Sequence, residues 1–266
     1  MPSFRLKPGT KVRLRDHDPD DTGRYRDRAA AEKHLARDLE RLARLQELLY
    51  AENRRALLVI LQGTDAAGKD GTIKHVFSGV NPQGCEVTGF GAPSAEEADH
   101  DYLWRIARAV PRRGDIGIFN RSHYEDVLVA RVRGLVPRQV WSARYDQINR
   151  FERLLVENGT TILKFFLHIS KQEQKLRLEK RLQDPAKVWK FSETDVADRR
   201  RWNDYQAAYE ELLTRCSTAW APWFIVPADH KWYRNLVVAR TIVETLARMD
   251  PRPPKPRTDL GKLRFD

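Results

Sequence analysis

Cysteine is scarce in this sequence of 266 residues, which contains only Cys85 and Cys216. The two cysteines lie far apart, and neither is accompanied by other residues at the spacing of metal ligands. This scarcity excludes a cysteine-based metal centre and indicates a reduced compartment, so we expect a cytoplasmic protein. Both cysteines are expected to be packing residues rather than catalytic ones.

Long hydrophobic runs are also missing. No apolar stretch approaches the length of a membrane span, and the mean hydropathy is −0.64. The first residues, MPSFRLKPGT, carry no apolar run after their charges, so we expect no secretory signal. The sequence therefore predicts that no membrane is among the partners of this chain.

Acidic residues are outnumbered by basic ones. The chain has 48 Lys and Arg residues against 37 Asp and Glu residues, which gives a net charge of +11. Such a surplus indicates an anionic partner, either a nucleic acid or an anionic phosphate polymer or nucleotide. Arginines spread over solvated helix faces would also account for part of the count.

The order of predicted elements indicates one α/β domain. Residues 1–25 lack periodicity and read as an arm on the surface or on a neighbouring subunit, residues 26–250 as the domain, and residues 251–266 as a basic tail. Apolar patterns predict a parallel sheet with helices on both faces. The strands are predicted at 56–62, 85–91, 115–120, 161–169 and 223–226. The helices are predicted at 26–51, 72–80, 94–110, 122–133, 138–157, 171–183, 193–216 and 231–249.

The first strand runs into a glycine-rich turn with the pattern G-x-x-x-x-G-K, at residues 63–69. In such a phosphate loop the backbone N–H groups cradle phosphate oxygens, and the following helix presents its positive end. The residue after the lysine is Asp70 instead of the usual Ser or Thr that holds Mg²⁺. We infer that Asp65 takes over this role, with Asp70 as the weaker candidate. The residues assigned to phosphate binding here are Gly63, Ala66, Ala67, Gly68, Lys69 and Asp70.

A second polar segment follows the strand at 115–120. Asn120 stands where phosphate-loop proteins usually carry an acid that positions Mg²⁺, and it can still bond a metal-bound water. The planar fork of Arg121 matches the oxygens of a phosphoryl group. Glu125 and Asp126 follow one helical turn later and would add negative charge near the metal, or simply form a solvated first helical turn.

A basic segment at residues 171–201 lies where a phosphate-loop kinase carries its closing lid. Lids expel water and bring arginines to the transferring phosphoryl group. Arg177 and Arg181 share one helix face, and Lys74 extends the positive lining from the first helix. Trp189 is the aromatic residue of the lid that would cover a base. A surface helix laced with ion pairs is the alternative reading, because acidic residues are interspersed.

These motifs together resemble the polyphosphate kinase 2 family over about residues 30–250. The resemblance rests on Gly63-x-Asp65-x-x-Gly68-Lys69, the following Asp70–Lys74, Asn81-Pro82-x-Gly84, Phe119–Leu128 and the lid sequence Lys180-Arg181-Leu182. It implies a thymidylate-kinase-like phosphate-loop fold with a helical lid. It also implies reversible phosphoryl transfer between inorganic polyphosphate and nucleoside phosphates.

The resemblance also bears on the roles of several residues. Asp65, Lys69 and Arg121 match the catalytic positions of the family, and Asp65 with Asn120 would hold Mg²⁺, with Mn²⁺ as an alternative ion. Asn120 stands where most of the family has an acid. In this respect the sequence is similar to the subgroup that accepts both nucleoside mono- and diphosphates. We assign nucleotide binding to Asn120, Arg121, Glu125, Asp126 and Trp189. Family members are typically homodimers or homotetramers.

Two other functions remain open at this point. An ATP-dependent kinase of a small metabolite or nucleotide would share the same loop. A nucleic-acid-binding phosphate-loop protein would need aromatic stacking residues among the basic ones, but residues 171–201 offer only Trp189 and Phe191. Nucleic acid is therefore not expected as a partner.

Overall fold

Five parallel strands form one sheet in the computed structural model, in the order β2-β3-β1-β4-β5. The model describes residues 4–255, with the backbone alone at position 190, so most of the predicted C-terminal tail lies outside the described residues. The strands are β1 Ala56–Gln62, β2 Cys85–Gly89, β3 Ile116–Asn120, β4 Thr160–His168 and β5 Trp223–Pro227. Their parallel pairing confirms the predicted α/β sheet.

Helices cover both faces of this sheet. They are α1 Arg28–Glu52, α2 Lys69–Val76, α3 Ala95–Ala98, α4 Trp104–Ala109, α5 Glu125–Val132, α6 Arg138–Glu157, α7 Lys171–Gln183, α8 Glu193–Arg200, α9 Trp202–Cys216 and α10 Lys231–Met249. No helix within residues 4–255 is both long and apolar enough to span a membrane.

The core is divided into two layers by the sheet, because successive strand residues point to opposite faces. Leu58 and Ile60 of β1 face one layer with apolar residues of α5, α6 and α9. Leu57, Val59 and Leu61 face the other layer with residues of α1 and α10. A strand buried on both faces reads as a continuous apolar run, which explains why β1 could be recognised from the sequence.

The main differences between the observed and predicted helix boundaries fall at four places. Helix α2 spans Lys69–Val76 instead of 72–80, because it begins directly after Gly68 and ends at Phe77. The helix predicted over 94–110 is broken into α3 and α4, because the Asp101 side chain accepts a hydrogen bond from the N–H of Leu103 and starts a new turn. The helix predicted over 193–216 is interrupted at Arg201, which ends α8 and caps α9. Helix α5 begins at Glu125 instead of 122, since residues 121–124 form a turn at the end of β3.

The N-terminal arm packs on its own chain from residue 4 onward. The N–H of Leu6 donates to the carbonyl of Trp223 at 2.8 Å, and the N–H of Ile225 donates to the carbonyl of Phe4 at 3.0 Å. Val12 and Leu14 are buried in the core layer that also holds α9. The arm thereby covers β5, whose unpaired edge would otherwise be exposed.

Candidate active site

The phosphate loop, residues 63–69, connects the end of β1 to the start of α2. Lys69 is only 8% exposed, and its Nζ donates to the carbonyl of Gly63 at 2.6 Å. Burial and the nearby Arg121 lower the pKa of Lys69, while the surrounding carboxylates oppose that shift. Ala66 adopts a left-handed backbone with φ of +61°, a conformation that costs energy in a non-glycine residue and is frequent at functional sites.

The end of β3 lies directly beside the loop, because Leu61 of β1 is in register with Asn120. Arg121 follows with φ of +65°, and its N–H donates to the carbonyl of Leu61 at 3.1 Å. This left-handed turn directs the Arg121 side chain back across the loop, where its Nη2 lies 3.0 Å from Oδ1 of Asp65. The structure thus brings together two of the side chains assigned to catalysis.

Asn120 and Asp70 also meet at this edge. The Nδ2 of Asn120 donates to Oδ1 of Asp70 at 2.8 Å, so the two positions that depart from the usual phosphate-loop pattern contact each other. Asp70 lies in the first turn of α2, where a carboxylate is stabilised by the helix dipole.

Glu125 and Asp126 begin α5 and have different surroundings. Burial raises the pKa of Glu125, although Arg121 and Lys69 act in the opposite direction. Asp126 lies 3.4 Å from Arg144 and 3.8 Å from Arg105, and burial likewise raises its pKa. Glu125 therefore interacts with the loop cations, whereas Asp126 pairs with arginines further along the same edge.

The oxygen atoms at this edge fit a magnesium ion. Asp65, Asp70 and Asn120 offer carboxylate and amide oxygens, which are the hard ligands that Mg²⁺ prefers. Within residues 4–255 no group of three His, Cys, Asp or Glu side chains forms a preformed cage. The oxygens of Asp65, Asp70 and Asn120 instead suit the usual coordination of Mg²⁺, in which one or two carboxylates, waters and the phosphates of the substrate are the ligands.

A cavity of about 480 Å³ opens beside the loop, and we call it the rim cavity. It runs from the loop past Arg121 and Glu125 to the segment after β2, and α8 and α9 close its other side. Its lining includes Gly63, Asp65, Phe90, Gly91, Arg105, Arg121, Glu125, Asp126, Arg133, Asp195, Tyr205 and Tyr209. A volume of this order is typical of pockets for small molecules and cofactors.

The lid segment lies close to the loop through α7 and α8. Arg181 of α7 lies 3.1 Å from Asp195 of α8, and Arg199 of α8 donates to the carbonyl of Lys171 at 2.7 Å. Trp189, between these helices, is 74% exposed and donates from its indole to the carbonyl of Ala186. Lys74 lies exposed on α2.

Arg177, which the sequence analysis places on the polyphosphate path, contacts Glu173 and backbone carbonyls in this structure. It is buried behind the loop, where its Nε lies 2.8 Å from Glu173 and both of its terminal nitrogens donate to backbone carbonyls. The rim cavity does not include it. Its guanidinium therefore contacts the loop carbonyls of Ala66 and Ala67 outside the rim cavity.

Sequence reasoning missed two residues that also contact the loop. Gln174 donates to the carbonyl of Asp65 at 3.1 Å, and Arg234 donates to the carbonyl of Ala67 at 3.1 Å. Arg234 stands in a stretch of α10 that is otherwise almost wholly apolar and buried. An arginine in such a stretch is a usable signal, because a buried guanidinium needs acceptors and often marks a functional region.

The fold and the site together define the class of protein. A glycine-rich loop between a central parallel strand and a helix, with a lysine, a facing arginine and a lid, is the arrangement of a phosphate-loop kinase.

Within that class, the family model for polyphosphate kinase 2 (PPK2) matches residues 25–254, and the chain belongs to this family.

Curated relatives and a solved structure support this assignment. The chain is 52% identical to the AMP/ADP-polyphosphate phosphotransferase of Meiothermus ruber over 99% of both chains. It is 46% identical to the ADP-polyphosphate phosphotransferase of Rhodopseudomonas palustris, over 91% of this chain and 88% of that one. The crystal structure of polyphosphate kinase 2 from Arthrobacter aurescens TC1 superposes with a TM-score of 0.93 at 44% identity, covering 97% of this chain and 92% of that one.

Proposed function

We propose that this protein transfers a phosphoryl group reversibly between inorganic polyphosphate and AMP or ADP. The observation that carries the proposal is the contact of Arg121 with Asp65 in the lining of the rim cavity, beside a phosphate loop whose carbonyl at Gly63 accepts from Lys69. One side of this meeting point offers the amides of the phosphate loop, and the other offers a cavity that fits a nucleotide. The relatives named for transfer between polyphosphate and AMP or ADP support the same reaction.

Polyphosphate binds to the phosphate loop in this proposal. The backbone amides of Gly63, Ala66 and residues 68–70 face the phosphates, and Lys69 contacts the phosphoryl group that moves. Lys74 and Arg181 extend the basic path away from the loop, while Arg177 supports it from behind. These positive charges attract a polymer that carries one negative charge on each phosphate.

The nucleotide occupies the rim cavity. Its terminal phosphate approaches Arg121, and Asn120 takes part in orienting that phosphate without adding a negative charge that would repel it. Glu125 and Asp126 face the ribose or the phosphates from the start of α5. Trp189 reaches the base only when the lid closes further, since its side chain is exposed in this structure.

Catalysis rests on positioning and charge neutralisation. Asp65 and Asn120 would hold Mg²⁺, which supplies charge neutralisation between donor and acceptor oxygens. Arg121 and Lys69 stabilise the charge that develops on the transferring phosphoryl group. Helices α7 and α8 exclude water, which would otherwise hydrolyse the donor. No protein base is needed, because the acceptor is already a phosphate oxyanion.

The same proposal includes a homodimer or homotetramer in the cytoplasm, as is typical of the family. Light scattering coupled to gel filtration measures the subunit count. A mass equal to that of one chain at micromolar concentration would refute the oligomer without affecting the proposed reaction.

A donor assay tests the function. The protein is incubated with AMP or ADP, Mg²⁺ and polyphosphate, and the nucleotides are separated by ion-exchange chromatography. We expect ADP and ATP to form only when polyphosphate is present. Product formation with ATP and a small metabolite, and none with polyphosphate, would favour the ATP-dependent kinase. Salt-sensitive binding to DNA without any nucleotide product would favour the nucleic-acid-binding alternative.

A further inference from the structure

Three carbonyls of the phosphate loop, those of Asp65, Ala66 and Ala67, accept hydrogen bonds from side chains of α7. Gln174 donates to the carbonyl of Asp65 at 3.1 Å. Arg177 donates from Nη1 to the carbonyls of Ala66 and Ala67, both at 3.1 Å. Because a peptide group is planar and trans, the N–H of the following residue points in the direction opposite to each carbonyl. Holding these carbonyls therefore fixes the direction of the amides of Ala66, Ala67 and Gly68. The N–H of Ala67 donates to the carbonyl of Thr64 at 3.1 Å, which leaves those of Ala66 and Gly68 for phosphate.

The carbonyl of Ala67 receives a second guanidinium. Nη1 of Arg234 donates to it at 3.1 Å, so two arginines meet at the peptide group that joins Ala67 to Gly68. The remaining contacts of Arg234 run from Nε and Nη2 to Oδ1 of Asn235, at 3.2 and 2.9 Å. Among residues 4–255 no carboxylate forms an ion pair with Arg234, although its side chain is 2% exposed.

Burying a cation without a carboxylate partner costs desolvation free energy. Such a residue directly behind an anion-binding loop is therefore expected to have a function there. Burial and then Arg177 lower the pKa of Arg234 to about 9, which leaves it charged at neutral pH. Its charge lies in a poorly solvated place, where electrostatic effects on the loop are weakly screened.

We propose that Arg177 and Arg234 are positioning residues for phosphate binding, which hold carbonyls of the loop so that its amides face the phosphate chain. Arg234 also contributes a positive charge that polarises the Ala67–Gly68 peptide and attracts the anion. The inference rests on the proposed binding of polyphosphate at this loop. It gives Arg177 an indirect role, in place of direct contact with the polymer.

The absence of a side chain at Gly68 is part of the same arrangement. Gly68 has φ of +104°, and a Cβ built there would overlap Nη1 of Arg234. Arg234 can approach the loop this closely only because position 68 is glycine. The loop sequence and a helix more than 150 residues later are thus matched to each other.

Two substitutions at Arg234 test the proposal. Arg234→Met removes the charge and the donors at similar length, whereas Arg234→Lys keeps the charge and loses the fork. Arg240→Met is the matched control, because Arg240 lies on the same helix and pairs with Asp38 away from the loop. Binding of polyphosphate of defined length is measured by calorimetry, KM for each substrate by steady-state assay, and folding by circular dichroism.

We expect Arg234→Met to weaken polyphosphate binding at least tenfold and to raise its KM, with a change of less than threefold in the KM of the nucleotide. Arg234→Lys should fall between this variant and the parent, and Arg240→Met should match the parent. A purely structural role would change both KM values together or neither. Polyphosphate binding equal to that of the parent in folded Arg234→Met overturns the inference; if that variant does not fold, parent-like binding in Arg234→Lys does so. A parent protein that binds no polyphosphate refutes the proposed function instead.

Discussion

Asn120 and Asp70 are joined by a hydrogen bond of 2.8 Å across the ends of β3 and α2. Each residue departs from the usual phosphate-loop pattern, in which an acid ends the strand and a hydroxyl residue opens the helix. The contact makes the two departures complementary, because the Asn120 amide can donate to a carboxylate that a second acid would repel.

The substitution Asn120→Asp should therefore destabilise the protein in the absence of Mg²⁺. Two carboxylates at this distance repel each other by about 1 kcal/mol where water screens them, as at this exposed pair. Urea unfolding at low salt measures the change. The double variant Asn120→Asp with Asp70→Asn restores a donor and should recover the lost stability. An Asn120→Asp protein as stable as its parent would refute the repulsion.

Lys69→Ala and Asp65→Ala should each lower kcat at least ~100-fold, the scale of losing one group that stabilises a transition-state charge. Both side chains contact the loop or Arg121 without filling the core, so the far-UV circular dichroism should stay unchanged. Steady-state assays with polyphosphate and ADP measure the effect. Lys175→Ala, at an exposed lysine of α7, is the control and should retain full activity. Retained turnover in either site variant would count against the mechanism.

A buried ion pair lies behind the turn that carries Arg121. Nζ of Lys164 lies 2.5 Å from Oε2 of Glu152 and donates to the hydroxyl of Tyr124 at 2.8 Å, and all these side chains are fully buried. Lys164→Met leaves a buried carboxylate without its partner and should cost about 3–5 kcal/mol. Adding Glu152→Gln should recover part of that loss, which a double-mutant cycle by urea unfolding measures. Additive losses would show that the two side chains do not interact.

The same pair predicts how stability depends on pH. Burial alone would raise the pKa of Glu152, but Lys164 and then His123 bring it below its ordinary value. A carboxyl whose folded pKa is lowered contributes stability above its unfolded pKa, near 4.5, and loses it as pH falls through the folded value. Unfolding free energy should therefore decline below about pH 4.5 more steeply in the parent than in the Lys164→Met, Glu152→Gln double variant. Parallel pH profiles would contradict this assignment.

Filling the rim cavity should affect the nucleotide more than the polymer. Gly91 lines the cavity, and a Cβ there meets open space, so Gly91→Trp can fold while occupying the cavity. We expect the KM for ADP to rise at least ~tenfold, since a filled pocket cannot accept the ligand, with little change in polyphosphate binding. Gly79→Trp, at another open glycine outside the cavity, is the control. Equal effects on both substrates would mean that the nucleotide binds elsewhere.

The sheet and the phosphate loop could be predicted because their signals are local. A doubly buried strand reads as a continuous apolar run, and the glycine pattern of the loop follows it directly. The breaks near Asp101 and at Arg201 were not predictable in this way, since neither glycine nor proline marks them. The first break depends on a single hydrogen bond, from the N–H of Leu103 to the Asp101 side chain. The second is a change of backbone direction at Arg201.

In the candidate site, too, residues with a local sequence signal could be predicted and residues without one could not. Asn120 and Arg121 could be assigned because the ends of neighbouring parallel strands meet at one edge of the sheet. Gln174 and Arg234 reach the loop from elements 100 or more residues away, and no local pattern records that contact. Arg177 lies in a helix, as the sequence predicted, but its guanidinium donates to the carbonyls of Ala66 and Ala67 in the loop and of Ala228 and Asp229 after β5, and no local pattern records these contacts.

A structure of the protein with polyphosphate, a nucleotide and Mg²⁺ tests the central claim most directly. The account predicts phosphates on the amides of Ala66 and residues 68–70 and beside Lys69, with the nucleotide in the rim cavity and its terminal phosphate next to Arg121. Both ligands bound at other places, with the loop and the cavity left empty, would contradict it.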